Sequence, residues 1–124
     1  MGYDRKYLVW SLAYVLLGMG LGIFMAASHN HGQLVTHAHI NLVGFVVSFI
    51  YAVIHKLWLA GEASKLAMAQ FVVHQVGALM MISGLFLLYG RFVPEEQIEH
   101  LLAPSTIIVF AGAIMMMVMV LRKK

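Results

Sequence analysis

The sequence contains no cysteine and few charged side chains. Without cysteine, the chain forms no disulfide, no thiolate-ligated iron–sulfur cluster and no thiolate zinc site. Charged residues make up 10% of the 124 residues, whereas a soluble domain carries about a quarter. Hydrophobic residues make up 62%, and the mean hydropathy is +0.89. The composition therefore predicts an integral membrane protein, with the lipid membrane as one of its partners.

The few basic residues predict an orientation in the membrane. The formal net charge of +3 comes mostly from residues near the chain ends, namely Arg5, Lys6, Arg122, Lys123 and Lys124. No basic patch with interleaved aromatic residues is present, which argues against nucleic acid as a partner. Lys56 and Lys65 flank the connection between the second and third apolar segments. By the positive-inside rule, both termini and this connection are expected on the cytoplasmic side of a prokaryotic inner membrane.

Four apolar segments predict the fold class. They cover residues 7–27, 34–59, 65–89 and 102–121, and each is near the ~20 residues that a membrane-spanning helix needs. Short polar connections separate them, so we expect one all-α domain, a four-transmembrane-helix up-down bundle. The first segment is too long for a typical signal-peptide core, and Gly18 and Gly22 have the spacing of a packed helix. We expect this segment to be retained as the first helix.

The second segment opens on a His-x-His pair, His37 and His39. An ionisable side chain in hydrocarbon costs roughly 2.5–3.5 kcal/mol at mid-helix, so it is a candidate for function. Imidazole is a common ligand of transition metals and of heme iron. Two residues apart, the rings project about 200° apart around a helix and cannot easily chelate one ion. The pair therefore predicts axial ligands for two separate centres, and the alternative is hydrogen bonding of each ring to a neighbouring helix.

Further polar residues recur at helical spacing on the second and third segments. The face of the second that carries His37 consists of His37, Asn41, Gly44, Ser48, Tyr51 and His55. Asn41 and Tyr51 are therefore expected to line the same cofactor as His37, whereas His55 is expected at the membrane interface. On the third segment, His74 lies roughly 15 Å nearer the cytoplasmic face than His39. We interpret His74, with Gln70 nearby, as a ligand of another centre, a hydrogen-bonding partner or a proton-handling group.

Three more histidines lie near the depth of His37. His29 and His31 fall in the first connection and His100 in the third. Together with His37 they predict a copper or zinc site at the outer face, unless they are ordinary solvated loop residues. A copper- or zinc-binding membrane protein is thus the second functional hypothesis. The third is a cofactor-free structural membrane subunit whose histidines only join helices.

The stretch from Thr36 to His55, T-H-A-H-I-N-L-V-G-F-V-V-S-F-I-Y-A-V-I-H, resembles a helix of the heme–copper oxidase catalytic subunit, subunit I, and most of all its C-type branch. That helix has an H-x-H followed five residues later by glycine and an aromatic residue, as Gly44-Phe45 follow here. The resemblance implies that His37 ligates a high-spin heme and His39 a low-spin heme. It covers this helix alone.

The resemblance also implies an assembly. The family's subunit looks like three four-helix arcs with pseudo-threefold symmetry, and the present chain supplies one arc with its H-x-H on the second helix. We therefore expect a homotrimer, or another closed ring, with heme b held between His39 of one copy and His37 of the next. The family's copper site has adjacent histidines where this chain has His74-Gln75, although copper stays a second cofactor candidate. The expected function is electron transfer or diatomic-gas redox chemistry with an unknown electron donor. If the protein is an enzyme, it is expected to be a heme-dependent oxidoreductase.

Overall fold

The computed structural model describes residues 1–123, which form four long helices: α1 (Tyr3–Ser28), α2 (Leu34–Leu57), α3 (Lys65–Tyr89) and α4 (Glu95–Arg122). All four are long and apolar enough to span a membrane. Large apolar side chains such as Leu16 and Ile107 are about 70% exposed on the outer surface of the bundle, as expected for contact with lipid rather than water. The predicted all-α fold with four candidate membrane-spanning helices is confirmed.

The fourth helix is longer than the apolar pattern indicates. It begins at Glu95 rather than near residue 102. His100 and an acidic cluster, Glu95, Glu96 and Glu99, therefore lie in the helix and not in a loop. Pro94 is extended at the N-cap, and Glu95 and Glu96 in the first turn interact favourably with the helix dipole. The helix also continues through Pro104, and the hydroxyls of Ser105 and Thr106 donate to the Leu102 carbonyl.

Helix α2 changes its winding directly after the histidine pair. It is α-helical from Leu34 to His39, π-helical from Ile40 to Val46, and α-helical again from Val47 to Leu57. A π-helical turn holds more residues than an α-helical turn, so it rotates the faces on either side of it relative to each other. Even so, Gly44, Ser48, Tyr51 and His55 of the polar face are buried. The polar face is thus buried from Gly44 onward, whereas His37 and Asn41 at its other end are half-buried.

Helix α3 contacts each of the other three helices. Helices α1 and α2, and likewise α3 and α4, pack closely at positions where one of the two helices has a glycine. A Cβ atom at Gly44 would lie 2.7 Å from the ring of Tyr14 on α1, and one at Gly77 would lie 2.8 Å from Val109 on α4. Small residues at such crossings allow close approach of backbones in membranes.

The two ends of the bundle carry different connections and different polar residues. The H-x-H end carries the connections at residues 29–33 and 90–94, and the termini end carries Tyr3, the connection at residues 58–64 and Arg122. At the termini end, the Ser64 hydroxyl caps α3 by accepting from the Ala67 N–H, 3.1 Å away. A hydrogen bond from the Ser64 hydroxyl also lowers the pKa of Glu62, which is half-buried there. Each end thus has its own polar surface, separated by the apolar helices.

Candidate functional site

The His37 side chain lies between α1 and α2 near the H-x-H end. Its Nδ1 is 2.8 Å from the Gly18 carbonyl oxygen, so the protonated Nδ1 donates a hydrogen bond across the helix pair. The ring packs against Gly22, where a Cβ atom would lie 3.0 Å from its Cε1. The Gly18–Gly22 spacing of α1 therefore accommodates this imidazole, a contact that the small-xxx-small pattern alone did not assign.

Asn41 completes the surroundings of His37. Its Nδ2 donates to the His37 carbonyl oxygen at 3.1 Å and lies 3.4 Å from the His37 Nε2. The longer distance is typical of a weak hydrogen bond. With Nδ1 protonated, the His37 Nε2 carries the lone pair, and only this amide engages it. Asn41 is thus beside His37, as its place on the same face indicated.

His39 has different surroundings. Its Nδ1 lies 2.9 Å from the Val35 carbonyl oxygen, one turn earlier on the same helix. Within the described residues its Nε2 has no hydrogen-bond partner, and the ring is half-buried on the outside of the chain. Metal-ligating histidines usually donate one ring N–H to a backbone carbonyl or carboxylate, which fixes the tautomer and directs the other nitrogen to the metal. His39 has this arrangement, with its Nε2 open to a ligand from outside the chain.

The His74 side chain lies in the core, at a different depth from the pair. It is fully buried, and its Nε2 is 3.2 Å from the Ser48 hydroxyl. Ser48 follows His39 by nine residues, which is on the order of 13 Å along α2. The Tyr51 ring lies edge-on at 5.1 Å from the His74 ring, centroid to centroid. The structure therefore separates His74 and Tyr51 from His39 and surrounds His74 with protein.

Two buried glutamines on α3 connect the helices around His74. The Tyr7 hydroxyl donates to Gln70 Oε1, and Gln70 Nε2 donates to the Gly112 carbonyl of α4 at 3.1 Å. Further along both helices, the Tyr14 hydroxyl of α1 donates to Gln75 Oε1 of α3 at 2.7 Å. We name Tyr7, Tyr14, Gln70 and Gln75 the tyrosine–glutamine network. It ties α1, α3 and α4 together in a region where water cannot replace a lost hydrogen bond.

The apolar pattern of the sequence did not identify the two tyrosines of this network. A signal for them exists, because the buried positions Tyr7, Ser11, Tyr14 and Gly18 of α1 recur at steps of four and three. Apolar residues surround them on every other face, so the helix has almost no amphipathic contrast. The pattern becomes visible only when the polar residues, rather than the apolar ones, are followed along the helix.

His55 is more buried than its position near the membrane interface indicated. Its ring is 3% exposed and lies 5.8 Å from the ring of Tyr7 and 5.8 Å from that of Tyr3, between centroids. Three buried side-chain nitrogens of the bundle lack a hydrogen-bond partner within the described residues, namely His55 Nε2, His74 Nδ1 and Gln75 Nε2. Buried polar atoms of this kind are uncommon in proteins. They mark the face of α2 and α3 as the most polar part of the interior.

The remaining histidines do not form a cluster. His29, His31 and His100 are exposed at the H-x-H end, and His29 adopts a left-handed conformation with φ of 56° as the C-cap of α1. Among residues 1–123, no group of three histidine, aspartate or glutamate side chains could hold a metal ion. A copper or zinc site at this end would therefore need ligands from more than one copy of the chain.

Removing one partner of the tyrosine–glutamine network is expected to destabilise the bundle. In Gln70→Leu, the buried Tyr7 hydroxyl and the Gly112 carbonyl lose their partners, at a cost of about 1–3 kcal/mol. Tyr7→Phe removes only the hydroxyl, so about 1 kcal/mol is expected, with a double variant costing less than the sum. Unfolding in mixed detergent micelles measures both. Thr106→Val, at an exposed hydroxyl of α4, is the control; equal costs for all three would contradict the network.

Comparison with protein-family models, with curated proteins and with solved structures gave no match. The functional assignment therefore depends on the side chains described above.

Proposed function

We propose that this protein is an integral membrane b-type heme protein in which His39 is an axial ligand of the heme iron. The observation that supports this proposal best is the geometry of His39. Its Nδ1 is held by the Val35 carbonyl at 2.9 Å, and among residues 1–123 its Nε2 has no hydrogen-bond partner and is not buried. A lone imidazole at a lipid-facing position costs free energy unless a ligand or partner engages it.

His39 fits an axial heme ligand, and the single chain does not enclose a heme. The His39 side chain lines none of five cavities among residues 1–123, so we expect the porphyrin to lie against the outside of α2. We expect a second copy of the chain to cover the other face of the porphyrin, because most homo-oligomers have closed symmetry. We therefore propose a homotrimer, or another closed ring, with heme at each interface. Both termini would be cytoplasmic and the H-x-H end would face outward.

His37 is the proposed second ligand, supplied by the neighbouring copy. Its Nδ1 is already fixed by the Gly18 carbonyl, so its Nε2 is the atom that could bind iron. The Asn41 amide holds that nitrogen by a weak contact of 3.4 Å. Ligation by His37 therefore requires the amide to give up this contact, and the second Asn41 hydrogen bond, to the His37 carbonyl, can remain.

Bound heme would supply reversible one-electron chemistry, or gas binding if one axial position stays open. The residues of this chain would hold the iron, fix the imidazole tautomer through Val35 and Gly18, and exclude water from the interface. His74 is enclosed by Ser48 and Tyr51 and would act at a distance from the heme, on the hydrogen bonds of the core. The electron donor would reach the heme in or along the membrane.

A structural subunit without a cofactor is the second candidate. The hydrogen bond of His37 to the Gly18 carbonyl favours it, because that bond joins α1 to α2 without any ligand. A copper- or zinc-binding protein has less support, since the exposed histidines do not come together within one chain.

An absorption spectrum of protein purified in mild detergent separates these candidates. The heme proposal predicts a Soret band and visible bands that sharpen on reduction with dithionite. It also predicts as many moles of iron, from elemental analysis, as of porphyrin, from absorbance. Copper or zinc without porphyrin would support the metal site instead. Colourless, metal-free protein that also fails to take up added hemin would overturn both and leave the structural role.

A further inference from the structure

A cavity lined by both polar and apolar residues opens at the H-x-H end of the bundle. It has a volume of about 960 Å³ and lies between the two connections at this end and the ends of α1 and α3. Its polar lining includes Asn30, Gln33, Arg91 and Glu95. Since the apolar helices begin directly beneath it, the cavity lies at the depth where lipid headgroups meet the hydrocarbon.

Two opposite charges in this cavity are not paired with each other. Arg91 and Glu95 both line it, yet no ion pair or hydrogen bond of the described residues engages either side chain. Arg91 has a left-handed backbone with φ of 61° in the turn after α3, and Glu95 is the first residue of α4. Among the described residues the cavity therefore offers one exposed cation and one exposed anion that are free to bind a ligand carrying both charges.

An apolar groove continues from this cavity along the lipid-facing side of the bundle. The groove holds about 640 Å³ and is almost wholly apolar. It shares Leu21 and Phe86 with the cavity at the H-x-H end, so the two spaces are adjacent. Gly20 forms part of its wall, and a Cβ atom at Gly20 would meet nothing within 4 Å. The groove runs on past Thr36 and Ile40, beside the histidine pair.

We propose that these two spaces form a binding site for a single phosphatidylethanolamine molecule. The Arg91 guanidinium binds the phosphate, and the Glu95 carboxylate accepts hydrogen bonds from the primary ammonium. One acyl chain lies in the groove between α1 and α3, and the other remains in the bilayer. Phosphatidylglycerol lacks the ammonium, and the quaternary ammonium of phosphatidylcholine has no N–H to donate. This inference is independent of whether the protein binds heme.

The test uses the full chain in phosphatidylcholine vesicles that contain a small fraction of a photoactivatable probe. The probe is phosphatidylethanolamine with a diazirine in one acyl chain, and matched probes carry phosphocholine or phosphoglycerol heads. We expect the first probe to label α1 and α3 at the groove about fivefold more than either matched probe, a ratio typical of one additional charge-assisted contact. Mass spectrometry of the labelled peptides locates the crosslinks.

Variants separate the head and the tail of the site. Arg91→Asn keeps a residue that tolerates the left-handed conformation and should abolish the preference, as should Glu95→Gln. Gly20→Leu fills the groove and should reduce labelling there with every probe. The controls are Glu99→Gln, an exposed acid of the same helix, and Ala113→Leu, at an exposed position of α4; both should label like the natural protein.

Two outcomes would overturn the proposal. Equal labelling by the three probes would mean ordinary boundary lipid without a headgroup site. A preference that persists in both Arg91→Asn and Glu95→Gln would mean that these charges do not bind the headgroup. Because labelling is read without any heme absorbance, neither result bears on the heme proposal.

Discussion

Replacing His39 by alanine is expected to abolish heme binding while the apoprotein remains as stable as the natural chain. Among residues 1–123 the His39 ring makes one hydrogen bond, to the Val35 carbonyl of its own helix, and none to another helix. Its loss should therefore remove a proposed ligand without removing a hydrogen bond between helices. Absorbance at the Soret band per mole of protein, together with unfolding in mixed micelles, measures both effects.

The corresponding substitution of His37 is expected to give a different result. His37→Ala should also eliminate the Soret band, because it removes the second proposed ligand. It should in addition lower the free energy of unfolding by about 1–2 kcal/mol, since the interhelical hydrogen bond to the Gly18 carbonyl is lost. The two variants thus separate ligation from helix packing.

Two controls accompany this pair. His55→Ala should keep the Soret band, because His55 lies at the termini end among Tyr3 and Tyr7. Added imidazole should restore part of the absorbance of His39→Ala by occupying the position of the missing ring. An unchanged spectrum in both His37→Ala and His39→Ala would end the assignment of this pair as heme ligands.

Enlarging Gly77 is expected to be the most destabilising single substitution in the interior. A Cβ atom at this position would lie 2.8 Å from Val109 Cγ2 and 3.0 Å from the Val109 backbone nitrogen. The backbone cannot move without separating α3 from α4, so Gly77→Leu should cost about 3 kcal/mol or more. Its midpoint of unfolding in mixed detergent micelles, followed by circular dichroism, reports the loss.

Gly20→Leu is the matched control for Gly77→Leu. Gly20 is also a helical glycine in an apolar segment, but a Cβ atom there meets nothing within 4 Å. Replacing a mid-helix glycine removes backbone freedom from the unfolded chain, so stability should be unchanged or rise by about 0.5–1 kcal/mol. Similar losses in both variants would show that α3 and α4 do not pack at Gly77.

The helix bounds show where apolar patterning suffices and where it does not. Residues 65–89 were predicted as the third helix, and α3 has these bounds, because Ser64 caps one end and Gly90 follows the other. The fourth helix was predicted too short. Gly90, Pro94 and the three glutamates suggested a loop, but Pro94 at the N-cap and an acidic first turn place the start of α4 at Glu95. Hydropathy detects the segment that lipid contacts and not the polar turns that precede it.

The candidate site shows a similar division. The spacing of His37 and His39 predicted that their rings would not easily share one small ion, because helical geometry alone sets the angle between them. It did not show that His37 would lie against Gly18 while the Nε2 of His39 would stay unpaired, since those environments depend on which helix packs beside α2. The partners of Gln70 and Gln75 were likewise undetermined, because Tyr7 and Tyr14 are more than sixty residues away in sequence.

By itself the sequence determined that this chain is a bundle of four apolar helices, because composition and segment length decide whether a chain enters a bilayer and how often it can cross. It also determined which residues could carry chemistry there, since so few polar side chains interrupt the apolar segments. Only the tertiary structure decided which of them are satisfied and which remain open. The outcome depends on contacts between residues that are far apart in sequence. They give His37 a hydrogen bond to the Gly18 carbonyl of another helix, whereas among the described residues His39 bonds only to Val35 of its own helix.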